Sequence, residues 1–142
     1  MRFMMLMIPK GYETAKPGTM PDAKAVEAMM QYNASLQQAG VLLALDGLHP
    51  PSMGARVRYA GGKAQVTDGP FAEAKEVLGG YWIIDVKSRE EAIQWAMRCP
   101  GDDNAMIEVR QVQEMGDFPA DVQEEVKKHP EVKALSALRA RT

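Results

Sequence analysis

The chain predicts an α+β fold of the ferredoxin-like type, a split βαβ arrangement with an antiparallel sheet and an inserted hairpin. Short apolar runs and amphipathic segments follow one another in the order β-α-β, hairpin, β-α-β, and Gly or Pro separates them. Two helices cover only one face of such a sheet, yet the strand candidates carry large apolar side chains on both faces. We therefore expect a homodimer, a dimeric α+β barrel in which a second copy covers the open sheet face.

Six strands and two helices are expected within residues 1–112. In chain order they are strand 3–8, helix 19–39, strand 41–48, hairpin strands 56–59 and 63–67, strand 81–86, helix 88–98 and strand 105–112. Continuous apolar runs are typical of strands that are buried on both faces. Alternating residues on either side of Gly61-Gly62 instead predict a hairpin with one solvated side.

Both helices begin at a pattern typical of a capping box, Thr19 with Asp22 in the first and Ser88 with Glu91 in the second. A glycine follows the first helix and a proline the second, and both residues end helices. The expected buried stripes are Val26, Met29, Met30, Asn33 and Leu36 in the first helix, and Ala92, Trp95, Ala96 and Cys99 in the second.

The chain changes character after Val112, which predicts a domain over residues 1–112 and a C-terminal helical extension over residues 113–142. Residues 119–129 predict a charged helix, Pro130 breaks it, and residues 131–141 could form another. The extension is either a solvated tail or an arm that packs on its own domain or on a partner subunit.

Composition and motifs exclude several classes of protein. A net charge of −2 and the lack of a basic aromatic stripe argue against binding to nucleic acid or to a membrane surface. The apolar segment 1–8 is short and no signal-peptide cleavage site follows it, so we expect a strand there. No apolar run is long enough to span a bilayer. The single cysteine, Cys99, suits a reducing cytoplasm, where we expect the protein to be located. There is no Walker loop, GxGxxG, CxxC or HExxH, so we expect neither a cofactor nor a metal site.

The run Asp68-Gly69-Pro70-Phe71 is the most informative motif. A glycine before a proline avoids the helical region, and the proline fixes its own φ, so the run predicts a rigid bend that holds one carboxylate. Asp68 could act as a general base if it were desolvated, or its carboxylate could accept N–H groups of its own turn. Pro70, Phe71 and the nearby Lys75 are candidate ligand-binding residues, and Lys75 could instead be simply solvated.

Other candidate residues lie on the strands and loops around this bend. His49 is either a solvated loop residue or an acid–base assistant to Asp68. Arg56 and Arg58 share one strand face and could hold a ligand carboxylate, although surface hairpins often carry such charges. Tyr81 and its neighbour Trp82 point to opposite faces, so one faces the helices and the other the dimer core or a ligand cavity.

Residues 1 to about 112 resemble the YCII-related family, specifically its DGPF subgroup. The matching runs are Phe3-Met4-Met5-Leu6, Gln38-Ala39-Gly40-Val41-Leu42, Leu48 with Pro50-Pro51, Val66-Thr67-Asp68-Gly69-Pro70-Phe71-Ala72-Glu73, Lys75-Glu76, Leu78-Gly79-Gly80-Tyr81, Glu91-Ala92-Ile93-Gln94-Trp95-Ala96 and Ile107-Glu108-Val109-Arg110. The resemblance implies a dimeric α+β barrel of ferredoxin-like subunits. It also implies that most members have no established activity, and that some associate with extracytoplasmic-function sigma factors.

The resemblance further implies a catalytic His–Asp pair in the YCII branch, with the histidine on the first helix. This chain has no histidine in residues 19–40, so only Asp68 carries over. Two functional hypotheses follow. The chain is a dimeric module that binds a small molecule or serves a regulatory partner such as a sigma factor. Alternatively, it is a small cofactor-independent enzyme that performs proton-transfer or lyase-like chemistry on an organic acid or aromatic, with Asp68 as the base and His49 assisting.

Overall fold

A computed structural model describes residues 1–132 of the chain. The chain divides into two compact units, Met1–Gln111 and a C-terminal unit that begins at Val112. The elements of the first unit are β1 (Arg2–Pro9), α1 (Ala23–Gln38), β2 (Leu42–Gly47), β3 (Ala55–Ala60), β4 (Lys63–Asp68), β5 (Gly80–Asp85), α2 (Arg89–Met97) and β6 (Ala105–Gln111). The described part of the second unit contains α3 (Ala120–Lys127).

The sheet of the first unit has four strands in the order β2-β5-β1-β6, and every neighbouring pair is antiparallel. Strands β3 and β4 form a separate antiparallel hairpin between β2 and β5 in the chain. This is the strand order of a split βαβ fold, so the predicted α+β, ferredoxin-like class is confirmed.

The core lies between one face of the sheet and the two helices. Alternate residues of β1 and β5 supply its strand side, and the helices supply the other. Its buried members are Phe3, Met5, Tyr32, Leu36, Val41, Trp82, Ile84, Val86, Ala92 and Trp95. The stripe predicted for α2 is confirmed, because Ala92 and Trp95 are buried and Ala96 and Cys99 pack against them.

Polar groups inside this core are hydrogen-bonded in pairs. The Trp82 indole Nε1 donates to Asn33 Oδ1 at 2.8 Å, and the Tyr32 hydroxyl donates to the Trp95 carbonyl at 2.7 Å. The rings of Tyr32 and Trp82 meet edge to face, with centroids 5.8 Å apart. Burial raises the pKa of Tyr32 far above its usual range, so this hydroxyl stays a donor.

Helix α1 differs from the prediction at its start and along its stripe. Asp22, not Thr19, is the N-cap, and its carboxylate accepts the Ala25 N–H at 2.8 Å. The Thr19 hydroxyl instead donates to the Lys16 carbonyl at 2.6 Å. The proline at position 21 disfavours the helical region for Met20, so a helix that begins at Thr19 is disfavoured. Val26 and Met30 are exposed, whereas Tyr32, which the predicted stripe omitted, is buried.

The second face of the sheet is apolar along its centre. The strand register places seven side chains on it: Met4, Leu6, Ile8, Ala44, Tyr81, Ile83 and Met106. The same face also carries charged side chains. Asp46 on β2 and Glu108 with Arg110 on β6 lie on the edge strands, and Arg2 with Asp85 lies at one end of the central strands β1 and β5. We call this surface the open sheet face.

The hairpin is more exposed than expected. Every residue of β3 and β4 is exposed, so the predicted single solvated side is wrong. One of its faces carries Val57, Tyr59 and Val66, which no element of residues 1–132 buries. The alternating pattern fixed the two faces of the ribbon, but pattern alone does not say whether anything packs against either.

The described part of the second unit contains a charged helix, α3, directly after Pro119, as the sequence predicts. Ion pairs one turn apart, Lys127 with Glu124 and Lys128 with Glu125, lie along α3. The Gln123 side-chain amide donates to the Phe118 carbonyl at 2.9 Å. Most of the second helix predicted for residues 131–141 lies outside the described residues.

Candidate functional site

The bend at residues 68–71 is held against the loop that follows β2. The Gly69 N–H donates to the Gly54 carbonyl at 2.9 Å, and the Gly69–Pro70 peptide bond is cis. A β-carbon on Gly69 would overlap the carbonyl oxygen of Pro51, so only glycine fits here. Two distant segments of the sequence, the double proline and the bend, therefore meet at this point.

The Asp68 carboxylate takes no part in that contact. The side chain is exposed, and it has neither a hydrogen bond nor an ion pair within residues 1–132. The hydrogen bonds that an Asx-turn requires are thus missing among the described residues, and Asp68 does not stabilise the bend in that way. It shares a hairpin face with Val57 and Val66, on the side opposite to the arginines.

The other face of the hairpin forms one wall of a cleft of about 420 Å³, which we call the arginine cleft. It is lined by Arg56, Arg58, Thr67, Pro70, Phe71, Ala72 and Glu73. Arg56 lies directly across from Thr67 in the strand register. Its guanidinium carbon lies 4.0 Å from the centre of the Phe71 ring, a cation–π contact that fixes both groups.

A second cleft, of about 350 Å³, adjoins the first, and we call it the apolar cleft. Its lining consists of Leu48, His49, Pro50, Pro51, Met53, Gly54, Ala55, Arg56, Phe71, Glu76, Val77 and Leu78. Arg56 and Phe71 line both clefts, so this stacked pair forms the wall between them. His49 lines the apolar cleft, whereas Asp68 lines neither of the two.

Comparison of the chain with protein-family models identifies its family. The model of the YCII-related domain matches residues 1–116. The chain belongs to the YCII-related family. It is also 35% identical over 75 residues to an uncharacterized protein of Rhizobium meliloti (strain 1021), a match that covers 53% of this chain. The matched segment spans 60% of that relative's length.

In this YCII-related chain, five predicted site residues border the two clefts. Four of them, Arg56, Arg58, Pro70 and Phe71, line the arginine cleft, and the fifth, His49, lines the apolar cleft. Asp68 is the first residue of the bend, but it lies on the hairpin face opposite to the two arginines. The catalytic pair of the enzyme hypothesis, Asp68 with His49, does not share either cleft.

The other two predicted residues lie elsewhere. Lys75 lines a separate cleft of about 320 Å³ together with Lys10, Glu76 and Asp103. The Tyr81 hydroxyl lies on the open sheet face and donates to Asp46 Oδ2 at 2.7 Å. That hydrogen bond raises the pKa of Tyr81, because Asp46 stabilises the protonated phenol.

The sequence predicted that Arg56 and Arg58 share a strand face. It did not predict that Thr67 and Glu73 line the same cleft, or that apolar residues form a second cleft beside it. The signal for Thr67 was present, since a hairpin centred on Gly61-Gly62 sets it opposite Arg56. The approach of Phe71 to Arg56 had no local signal, because it depends on the contact between Gly69 and Pro51.

An apolar groove between α2 and β6 is a further concave surface of this YCII-related domain, and Cys99 lines it. Burial raises the pKa of the Cys99 thiol to about 11, which keeps the thiol protonated and unreactive near neutral pH. Within residues 1–132 no group of three or more His, Cys, Asp or Glu side chains could hold a metal ion. In the same part of the chain, no helix has both the length and the apolar character needed to cross a membrane.

Proposed function

We propose that this chain is a dimeric, cytoplasmic YCII-related protein of the DGPF subgroup that binds a small organic anion in the arginine cleft. One observation carries the proposal. Arg56 and Arg58 lie on the same face of the hairpin and line one cleft, and within residues 1–132 neither forms an ion pair. Two guanidinium groups without a carboxylate partner favour an external carboxylate, which a guanidinium binds with paired N–H donors.

The charge of the cleft agrees with a small acid as ligand. Two arginines and Glu73 line it, which leaves one net positive charge. The cation–π contact of Arg56 with Phe71 orders that side chain before a ligand arrives, which reduces the entropy lost on binding.

Binding is preferred to proton transfer because of where the two candidate catalytic residues lie. Asp68 is exposed to water on the hairpin, and His49 lines a cleft that Asp68 does not. The association with a sigma factor that the resemblance implies stays a prediction.

Replacing Arg58 with alanine is expected to weaken the binding of benzoate by about tenfold or more. A hydrogen bond to a charged group contributes about 1.5–3 kcal/mol, and Arg56 alone would retain the remainder. Isothermal titration calorimetry of the full chain at pH 7 measures the change. Lys63→Ala is the matched control, because it removes a cation from the same hairpin outside the cleft. Equal affinities for the wild type and Arg58→Ala, or a wild type that binds no carboxylate, would refute the proposal.

The proposed dimer forms through the open sheet face of two copies. Its centre is apolar and half-buried along β1 and β5, while its charges lie on the edge strands and at one end of β1 and β5, where Arg2 is paired with Asp85 in the register. Such a distribution matches the apolar core and polar rim of a homodimer interface. An apolar sheet face of this kind is a liability when it stays in water.

Ile83→Glu is expected to convert the dimer to a monomer. Ile83 lies at the centre of the open sheet face, between Met4 and Ala44, so a charge there would be buried without a partner. An uncompensated buried charge costs about 3–5 kcal/mol, or more than a hundredfold in the dissociation constant. Size-exclusion chromatography with light scattering at micromolar concentration measures the mass. Met20→Glu changes an exposed residue outside the sheet and should leave the dimer intact. A monomeric wild type, or a dimeric Ile83→Glu variant, would contradict the proposal.

A further inference from the structure

The two clefts beside the hairpin have complementary chemistry and share a wall. The arginine cleft offers Arg58 and the Thr67 hydroxyl, whereas the apolar cleft is built on Pro50 and Val77. Arg56 and Phe71 border both, so a molecule seated in one cleft needs only to pass this stacked pair to reach the other.

Three partly exposed large apolar side chains meet in the apolar cleft. Leu48 is 40%, Met53 51% and Leu78 41% exposed, although each comes from a different segment of the chain. Scattered exposed apolar residues are ordinary, but their convergence on one concave surface marks a place where apolar area can be removed from water. Both clefts fall within the size range of ligand sites in proteins.

We propose that the two clefts form one bipartite site for an amphipathic monocarboxylate. The carboxylate binds Arg58 and Arg56, and an alkyl or aryl tail lies along Phe71 into the apolar cleft, against Met53 and Leu78. This inference rests on the proposed function, and it adds the ligand class. The tail, not the carboxylate alone, then determines which acids are bound.

The acidic residue of the apolar cleft disfavours a second anionic end. Glu76 lines this cleft together with His49 and the apolar residues. A dicarboxylate of the same length would bring its far carboxylate toward Glu76, and like charges repel in a partly desolvated cleft. The site is therefore expected to prefer octanoate to octanedioate, although the two have carbon chains of equal length.

Calorimetric titration of the full chain at pH 7 with acetate, butyrate, hexanoate, octanoate and octanedioate tests the inference. Affinity is expected to rise roughly threefold to fourfold for each added methylene until the apolar cleft is filled, and octanedioate should bind at least about tenfold more weakly than octanoate. Met53→Ser should lower the ratio of octanoate to acetate affinity by about threefold or more. Val66→Ser is the matched control, because Val66 is 68% exposed and lines neither cleft.

The outcomes separate the two proposals. If no carboxylate binds in a manner that depends on Arg58, the proposed function fails. If binding depends on Arg58 but not on tail length or on Met53, the arginine cleft binds small anions alone and the bipartite site is refuted. A tail-length dependence that persists unchanged in Arg58→Ala would place the tail on another apolar surface and would also overturn the inference.

Discussion

Replacing Trp82 with alanine is expected to lower the free energy of unfolding by about 3–5 kcal/mol, the usual cost of deleting a buried aromatic side chain. Trp82 is 5% exposed in the core, and its ring meets the ring of Tyr32 edge to face. Its indole N–H is also the hydrogen-bond donor to the buried Asn33 side chain. The variant therefore leaves both a cavity and an unpaired buried amide, against a total stability of about 5–15 kcal/mol for a typical domain.

Trp82→Phe separates the cost of the cavity from the cost of the lost hydrogen bond to Asn33. Phenylalanine keeps most of the apolar volume but cannot donate to Asn33 Oδ1, so a loss of about 1–3 kcal/mol is expected. Urea unfolding followed by far-ultraviolet circular dichroism measures both variants at one protein concentration. A loss below 1 kcal/mol for Trp82→Ala would show that the core between the sheet and α1 is not packed as described.

Gly69→Ala is expected to destabilise the first unit by about 1–3 kcal/mol or more, the cost of inserting atoms where there is no room. The added β-carbon would overlap the Pro51 carbonyl oxygen and lie 3.3 Å from the carbonyl oxygen of Gly54. Both neighbours are backbone atoms, which cannot rotate away as the end of a side chain can. The Gly69 N–H bond to Gly54 must break or the loop must move, and Phe71 would move with it.

Gly47→Ala is the control for Gly69→Ala. A β-carbon at Gly47 would have no atom within 4 Å, and its φ is not in the left-handed region. Thermal unfolding measures both variants, and each kcal/mol corresponds to about 4 °C for a domain of this size. If the two variants melt within a degree of each other, the close approach of Gly69 to Pro51 is wrong.

Much of the fold follows from local pattern. The apolar runs gave the four sheet strands, and Ser88 caps α2 as expected, since its hydroxyl accepts the Glu91 N–H at 3.1 Å. The start of helix α1 was predicted at Thr19, whereas the N-cap is Asp22, because two residues that can cap a helix lie three positions apart. Only the backbone conformation around the proline at position 21 decides between Thr19 and Asp22.

The candidate site was predicted in parts and not as a whole. Alternation put Arg56 and Arg58 on one face, because a strand has a period of two. Their contact with Phe71 depends on where the chain returns after the bend, and the carbonyl of Pro51 determines that position. Such contacts between distant segments leave no periodic pattern in the sequence. The sequence therefore could not predict that the two clefts are adjacent, or that Asp68 and His49 do not line the same cleft.

The hairpin contributes both arginines yet none of the buried residues of the core. Substitutions along its two strands therefore cost little in folding free energy, while those at Arg56, Arg58 or Thr67 change the wall of the arginine cleft. Homologous chains could diverge in the acids they accept by varying this ribbon alone. The scaffold and the recognition element would then evolve under separate constraints.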